Sequence, residues 1–172
     1  MADPVYTIVA AMSENHVIGK KGEIPWHVRG DFIFWQDISR GKPVIMGRTT
    51  YEGMPPSFKK RDHIIIVTRD QNYQVDGSHV VHNLDDAFEL AAEIARQKDI
   101  EEVIIGGGGE IYRQSINRVD RMYLSTIHTK VMGGDAEFPT FIKKKWDHAN
   151  SEYFPPAPGD TCGFTLNLYT KK

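Results

Sequence analysis

Four short runs that are apolar throughout constrain this chain more than any other feature. Tyr6–Met12, Val44–Met46, Ile64–Val67 and Val103–Ile105 are rich in β-formers and do not alternate with polar residues. A strand with one wet face alternates, whereas a strand covered on both faces reads as a continuous apolar run. The runs therefore predict a parallel sheet buried on both sides. Leu84–Ala95 places Leu, Phe and Ile at helical spacing and supplies a covering helix, and the succession of strand, helix and strand is a βαβ pattern. Val80–Val81 and Arg121–Ile127 add strands. In the tail, Trp146–Tyr153, a turn-rich Pro155–Asp160 and the alternating Phe164, Leu166 and Leu168 predict an antiparallel hairpin. The expected fold class is α/β: a single domain over residues 1–172, with a central, mostly parallel sheet of about eight strands, a C-terminal antiparallel hairpin and about four flanking helices.

Length and charge narrow the function. A chain of 172 residues can bury a proper core in one domain. With 21 basic and 23 acidic residues the net charge is −2, which provides no footprint for nucleic acid or an anionic membrane. A single cysteine, Cys162, excludes an internal disulfide or a cysteine-based metal cluster and fits a reducing cytoplasm. His79 and His82 form the only close histidine pair and lack a third ligand nearby, so no metal site is expected. No apolar stretch is long enough for a signal or membrane segment, and neither a Walker loop nor a nucleophile elbow is present.

The segment Ile24–Trp35 sets one carboxylate, Asp31, among apolar and aromatic residues. Even a neutral polar group left unpaired in such surroundings costs roughly 2–7 kcal/mol, so Asp31 needs a partner. Two readings are open: Asp31 is the N-cap of a helix running to about Ser39, or it faces a cleft. Phe34 three residues later offers no capping box. Before it, Ser13–Pro25 is longer than compact connections usually are and is expected to be a lid. Gly106–Gly109 fails the dinucleotide fingerprint, since residue 111 is Ile, yet a glycine turn between strand and helix suits a pyrophosphate; a tight packing turn is the plainer alternative. Arg48 and Thr68–Arg69 follow two apolar strands, where open α/β sheets bind ligands. Singly each arginine reads as a surface residue; together they suggest a clamp for a 2′-phosphate, favouring NADP over NAD.

In this order and spacing the pieces resemble dihydrofolate reductase over nearly the whole chain. The matching blocks are Ile8–Ala11, Val17–Gly19, Ile24-Pro25-Trp26 with Asp31, Lys42–Thr50, the triple glycine with Ile111-Tyr112, and Gly134-Asp135 with Phe138-Pro139. The resemblance implies reduction of dihydrofolate with NADPH as cofactor. It puts Asp31 in the pterin pocket, hydrogen-bonded to Ser125, with Ile24 from the lid and Tyr112 beside the reacting rings. Val9, Ala10, Phe32, Trp35, Met54 and Phe58 would line the substrate, Arg61 would hold its glutamate carboxylate, and Thr50 and Gly106 would border the rings. Ala11, Ile18, Gly19, Gly47, Arg48, Thr49, Thr50, Thr68, Arg69, Gly107, Gly108, Gly109, Glu110, Ile111 and Tyr112 would contact the cofactor. The family also carries a cis peptide at the position of Gly107 and Gly108, and the lid would close on the Gly133–Asp135 loop with Asp135 accepting N–H groups near Gly19–Lys21.

Three departures stand out. Gly106 replaces a bulkier residue and suggests a roomier wall with weaker antifolate binding; Glu110 would repel phosphate slightly; Ile24 replaces the usual methionine or leucine. The rival readings are a related-fold pyrimidine reductase of flavin biosynthesis and a non-catalytic NADP-binding sensor. Asp31 after Pro-Trp, with Arg61, favours folate. A cytoplasmic monomer is expected, with dihydrofolate as its small-molecule substrate.

Overall fold

The computed structural model describes residues 2–172. Ten strands and five α-helices follow one another along the described chain. They are β1 (Val5–Ser13), β2 (Val17–Gly19), α1 (Arg29–Ser39), β3 (Val44–Gly47), α2 (Arg48–Glu52), α3 (Pro56–Lys59), β4 (Ile64–Val67) and β5 (His79–Val81). Then come α4 (Leu84–Lys98), β6 (Glu102–Ile105), α5 (Gly109–Ser115), β7 (Arg121–Ile127), β8 (Ala136–Glu137), β9 (Trp146–Phe154) and β10 (Phe164–Lys171).

Eight strands form one sheet in the order β5-β4-β3-β6-β1-β7-β10-β9. Every pairing from β5 to β7 is parallel, and β10 runs antiparallel to both β7 and β9. The mostly parallel sheet and closing hairpin are as expected. The helix count is five rather than four, because α3 is a one-turn helix of 4 residues, too short to leave a periodic signature.

Both faces of the central strands are dry, and successive strand residues divide between them. Ile8, Ala10, Ile45, Ile65, Val103 and Ile105 pack with α4 on one side. Val9, Val44, Met46, Ile64, Ile66 and Ile104 pack on the other with Phe34, Trp35 and Ile38 of α1. The period of two along each strand explains why these runs are apolar nearly throughout; the hydroxyl of buried Thr7 among them is satisfied by Glu102.

Because the six parallel strands share a direction, their carboxyl ends lie at one edge of the sheet, and the connections leaving β1, β3, β4 and β6 meet there. The opposite edge is closed by an ion cluster. Glu102 at the start of β6 is 7% exposed and accepts from Lys42 Nζ at 2.7 Å and from the Arg121 guanidinium and Thr7 hydroxyl.

The segment Ser13–Pro25 is not a bare loop. Val17–Gly19 pairs antiparallel with Ala136–Glu137 as a separate two-stranded sheet. Ser13 Oγ accepts from Val17 N at 2.9 Å, and Asn15 accepts from Val131 N at 3.0 Å and donates to Val131 O at 2.8 Å, so the excursion is pinned at its root.

Candidate active site

α1 begins at Arg29, and its N-cap is Val28, whose side chain makes no capping bond. Asp31 is thus the third helical residue, and the N-cap reading is wrong: its carboxylate is free to leave the helix terminus. Gly30 before it lies under Phe164, where a Cβ would come 3.2 Å from Cε1. The apolar residues that follow Asp31 divide. Phe34 and Trp35 turn to the core face, whereas Phe32 and Ile33 are 39% and 42% exposed on the rim.

Asp31 is half-buried, and its carboxyl is crowded by the surrounding protein. Burial pushes its carboxyl up to about 6 from an ordinary 3.8, and a hydrogen bond from the Ser125 hydroxyl pulls the other way. Ser125 belongs to β7, is 1% exposed and pairs in register with Ala11 of β1. Tyr112 of α5 is buried, and its hydroxyl donates to Val9 O at 2.9 Å. Burial, then the Asp31 charge, raises its pKa above the ordinary tyrosine range, so it remains a protonated donor. Helix α1, strands β1 and β7 and helix α5 therefore converge on one carboxylate.

The expected substrate wall is only partly open. Val9 and Ala10 are buried in β1, and Phe58 is 1% exposed beneath Trp35, their rings 5.2 Å apart. Met54 is partly buried in the same cluster. Arg61 lies 4.8 Å over the Phe58 ring, held by bonds to Ser39 Oγ at 2.8 Å and Gln36 O at 3.1 Å. Ile24, on the lid, is 63% exposed.

Gly106 departs from expectation. A Cβ there would stand 3.1 Å from Trp35 Cζ2 and Val44 Cγ1 and 3.3 Å from Met46 Cε. The wall is not roomier. Neighbouring side chains fill the volume a larger residue would have used.

At the next two positions the peptide Gly107–Gly108 is cis, as the family resemblance implied. Gly47 N donates to Gly107 O at 2.8 Å, tying the ends of β3 and β6 together. A Cβ on Gly107, where φ is +103°, would meet the Tyr112 hydroxyl at 2.9 Å, and one on Gly108 would meet Thr50 Oγ1 at 3.0 Å. Gly109 faces the small sheet, with Glu137 O 3.1 Å and Ile18 Cδ1 3.5 Å from its added Cβ. The glycines thus expose backbone that no side chain could share, between Thr50 and Ile18. Ile111 is buried and backs the turn, and Thr49 is exposed on α2.

Arg48 is anchored rather than free: it stacks 4.3 Å over Tyr73 and pairs with Asp70 at 3.2 Å and Glu52 at 3.5 Å. Thr68 lies just past β4, where its N donates to Val81 O and its carbonyl sits 2.9 Å from His82 Nδ1. Arg69 is exposed and near enough to Glu110 to help depress that carboxyl, after Arg113 and Gln114, which bond it directly. Glu110 is therefore already partnered. Among the described residues no cluster of His, Cys, Asp and Glu could hold a metal.

The lid contact is formed as expected. Lys21 N donates to Asp135 Oδ2 at 2.9 Å, and Asp135 N donates to Gly19 O at 3.1 Å. Reasoning from sequence missed a second brace, from the β9–β10 connection onto the chain just before Asp31. Thr161 N donates to His27 O at 2.8 Å, and Thr161 Oγ1 accepts from His27 N at 3.0 Å. The pairs are more than 130 residues apart in sequence, and no local pattern signals them.

Comparisons with known proteins agree with this geometry. A family model described as dihydrofolate reductase matches residues 5–171. A type 3 dihydrofolate reductase of Salmonella typhimurium is 34% identical over 149 residues, 87% of either chain. That of Neisseria gonorrhoeae is 35% identical, covering 83% of this chain and 84% of its own. The solved dihydrofolate reductase of Enterococcus faecalis, complexed with NADP(H) and RAB-propyl, superposes with a TM-score of 0.84 at 25% identity. It covers 98% of this chain, and this chain covers 96% of it.

Proposed function

The chain belongs to the dihydrofolate reductase family, and from that premise we infer that it is an NADPH-dependent oxidoreductase that reduces 7,8-dihydrofolate to tetrahydrofolate. Its product feeds one-carbon metabolism, which makes the enzyme an antifolate target. The low net charge offers no footprint for a nucleic-acid partner, and among the described residues no helix is long and apolar enough to cross a membrane; the reading is completed by a single domain acting as a cytoplasmic monomer.

NADPH, when bound, supplies a hydride from nicotinamide C4 to pterin C6, and N5 must then gain a proton. The residues present fit that cofactor. Gly107 and Gly108 form a cradle that a Cβ would fill, suited to a diphosphate approaching bare backbone. Arg48, Thr68 and Arg69 stand at the ends of β3 and β4, where they would take the 2′-phosphate.

Asp31 manages the proton. Its two carboxylate oxygens match the two adjacent donors of the pterin amidine edge, and its raised pKa keeps part of it protonated near neutrality. It polarises the ring while a water admitted past the Ser13–Pro25 lid reaches N5. Ser125 orients the carboxylate, Tyr112 fixes the Val9 carbonyl beside the ring, and Ile24 screens the site from the lid. Val9, Ala10, Phe32, Trp35, Met54 and Phe58 supply the apolar slot, and the pre-positioned Arg61 receives the glutamate carboxylate.

The observation that carries this reading is the single carboxylate of Asp31, raised by burial and attended by Ser125 and Tyr112. The decisive assay is NADPH absorbance with and without dihydrofolate. Oxidation should require dihydrofolate, and binding without oxidation would mean a cofactor sensor instead. Asp31→Asn should lower kcat/KM by about 10²–10⁴ at neutral pH, the usual worth of acid–base assistance. A loss of tenfold or less would remove Asp31 from the mechanism.

A further inference from the structure

Helix α1 has no cap of its own. Val28 cannot provide one, Arg29 and Gly30 open the first turn, and Phe32 N is the first amide to find an intrahelical carbonyl, Val28 O at 3.3 Å. A glycine at the second position makes such a turn prone to fray. Asp31 rides on that turn.

The missing cap comes from the far end of the chain. Asp160, in the connection between β9 and β10, accepts from Arg29 N through Oδ1 at 3.1 Å and from Ala157 N through Oδ2 at 2.9 Å. Its own N donates to Ala157 O at 3.0 Å, so the carboxylate is presented by a closed turn. We propose that Asp160 is a positioning residue for the reaction: by capping α1 from outside, it holds the first helical turn, and hence the Asp31 carboxylate, against Ser125. The inference rests on the assignment of Asp31 as the proton-managing group.

Asp160 can act in this way across the working pH range. The two backbone N–H groups hold its carboxyl below the usual carboxylate range, with the His27 and Arg29 charges adding to the effect, so it stays ionised where Asp31 titrates. Asp31 itself faces Ser125 and Tyr112 rather than Asp160. A pH profile therefore reports Asp31, and Asp160 enters it only through position.

The test compares Asp160→Ala, Asp160→Asn and Asp160→Ala/Arg29→Pro as full-length enzymes, with kcat/KM for dihydrofolate followed from about pH 5 to about pH 8. Asp160→Ala should lose about tenfold, the weight of a lost helix cap, and its apparent pKa should fall below that of the parent as water reaches Asp31. Asp160→Asn keeps the acceptor toward Arg29 N while giving up the one toward Ala157 N, and should restore both in large part. Arg29→Pro removes the N–H that needs the cap and presets the first helical φ, and Val28 is already extended at φ −136°, so the double variant should also recover. NADPH affinity, set on β3, β4 and β6, should be unchanged and reports correct folding. A profile for Asp160→Ala that superimposes on the parent's overturns the proposal, as does failure of both rescues. Asp31→Asn measured alongside separates the two claims. If it too leaves kcat/KM intact, the underlying reading fails and carries this one with it. If it collapses while Asp160→Ala does not respond, only the capping role is wrong.

Discussion

The carboxyl of Asp31, to which we assign the proton, is placed where folding stability does not favour its charge. Its folded pKa, about 6, exceeds the ordinary 3.8, so the folded state binds the proton more tightly than the unfolded chain does. The associated stability is complete below about pH 4, is lost as pH rises through about 6, and is absent at pH 8. Asp31→Asn should therefore stabilise the ligand-free protein at pH 8 by about 1–2 kcal/mol, less than the full shift implies because the group is half-exposed. That is roughly 2–4 °C in Tm per kcal/mol, and the gain should vanish near pH 4. Parallel Tm curves for parent and variant across this range would refute it. Gly106 behaves differently. Since its space is taken by Trp35, Val44 and Met46, Gly106→Ala should destabilise by about 1–3 kcal/mol, read as a lower urea midpoint at unchanged m, rather than tune a ligand. Asp31 stood out in the sequence because a lone carboxylate among aromatics is chemically odd. The filled volume at Gly106 did not, because a glycine reveals a missing side chain but not which neighbours replace it.

Elements with a period were legible, and elements made by distant pairing were not. Strands β1, β3, β4 and β6 and helix α4 follow from apolar runs and helical spacing in their own residues. Strand β2, three residues with one buried, exists because Ala136–Glu137 pairs with it, and a partner more than a hundred residues away leaves no local mark. The lid belongs to this class. It is pinned at Asn15 to Val131 and at Lys21 to Asp135, while Gly134 packs so closely on Val17 that a Cβ would overlap it at 2.4 Å. Asp135→Ala removes one exposed bond from this contact. It should slow the hydride step in single-turnover measurements while shifting Tm by less than about 1 °C, because closure rather than the core depends on it. A Tm loss of several degrees with an unchanged hydride rate would mean that the contact is structural.

Across the whole molecule the two edges of the sheet do opposite work. At the carboxyl edge the raised pKa of Asp31 withdraws stability as pH rises. At the amino edge Glu102 has its carboxyl depressed: burial alone would raise it, and the bonds from Lys42, Thr7 and Arg121 outweigh burial. Its contribution is therefore present above the ordinary carboxylate pKa and lost as pH falls through the folded value. Arg121→Ala leaves Glu102 underpaired and should destabilise by about 3 kcal/mol near neutrality, toward the low end for a buried pair because Arg121 is partly exposed, with kcat of the folded fraction unchanged. The sheet order has one more consequence. Central strand β1 is bonded on its two sides by Glu102–Ile105 and Arg121–Ile127, both far downstream. On the ribosome, this largely apolar segment emerges long before either partner has been synthesised. The nascent chain must carry Val5–Ser13 as an orphan through most of translation. Its yield in the cell then depends on how well that segment is shielded from other chains as well as on the stability of the finished enzyme.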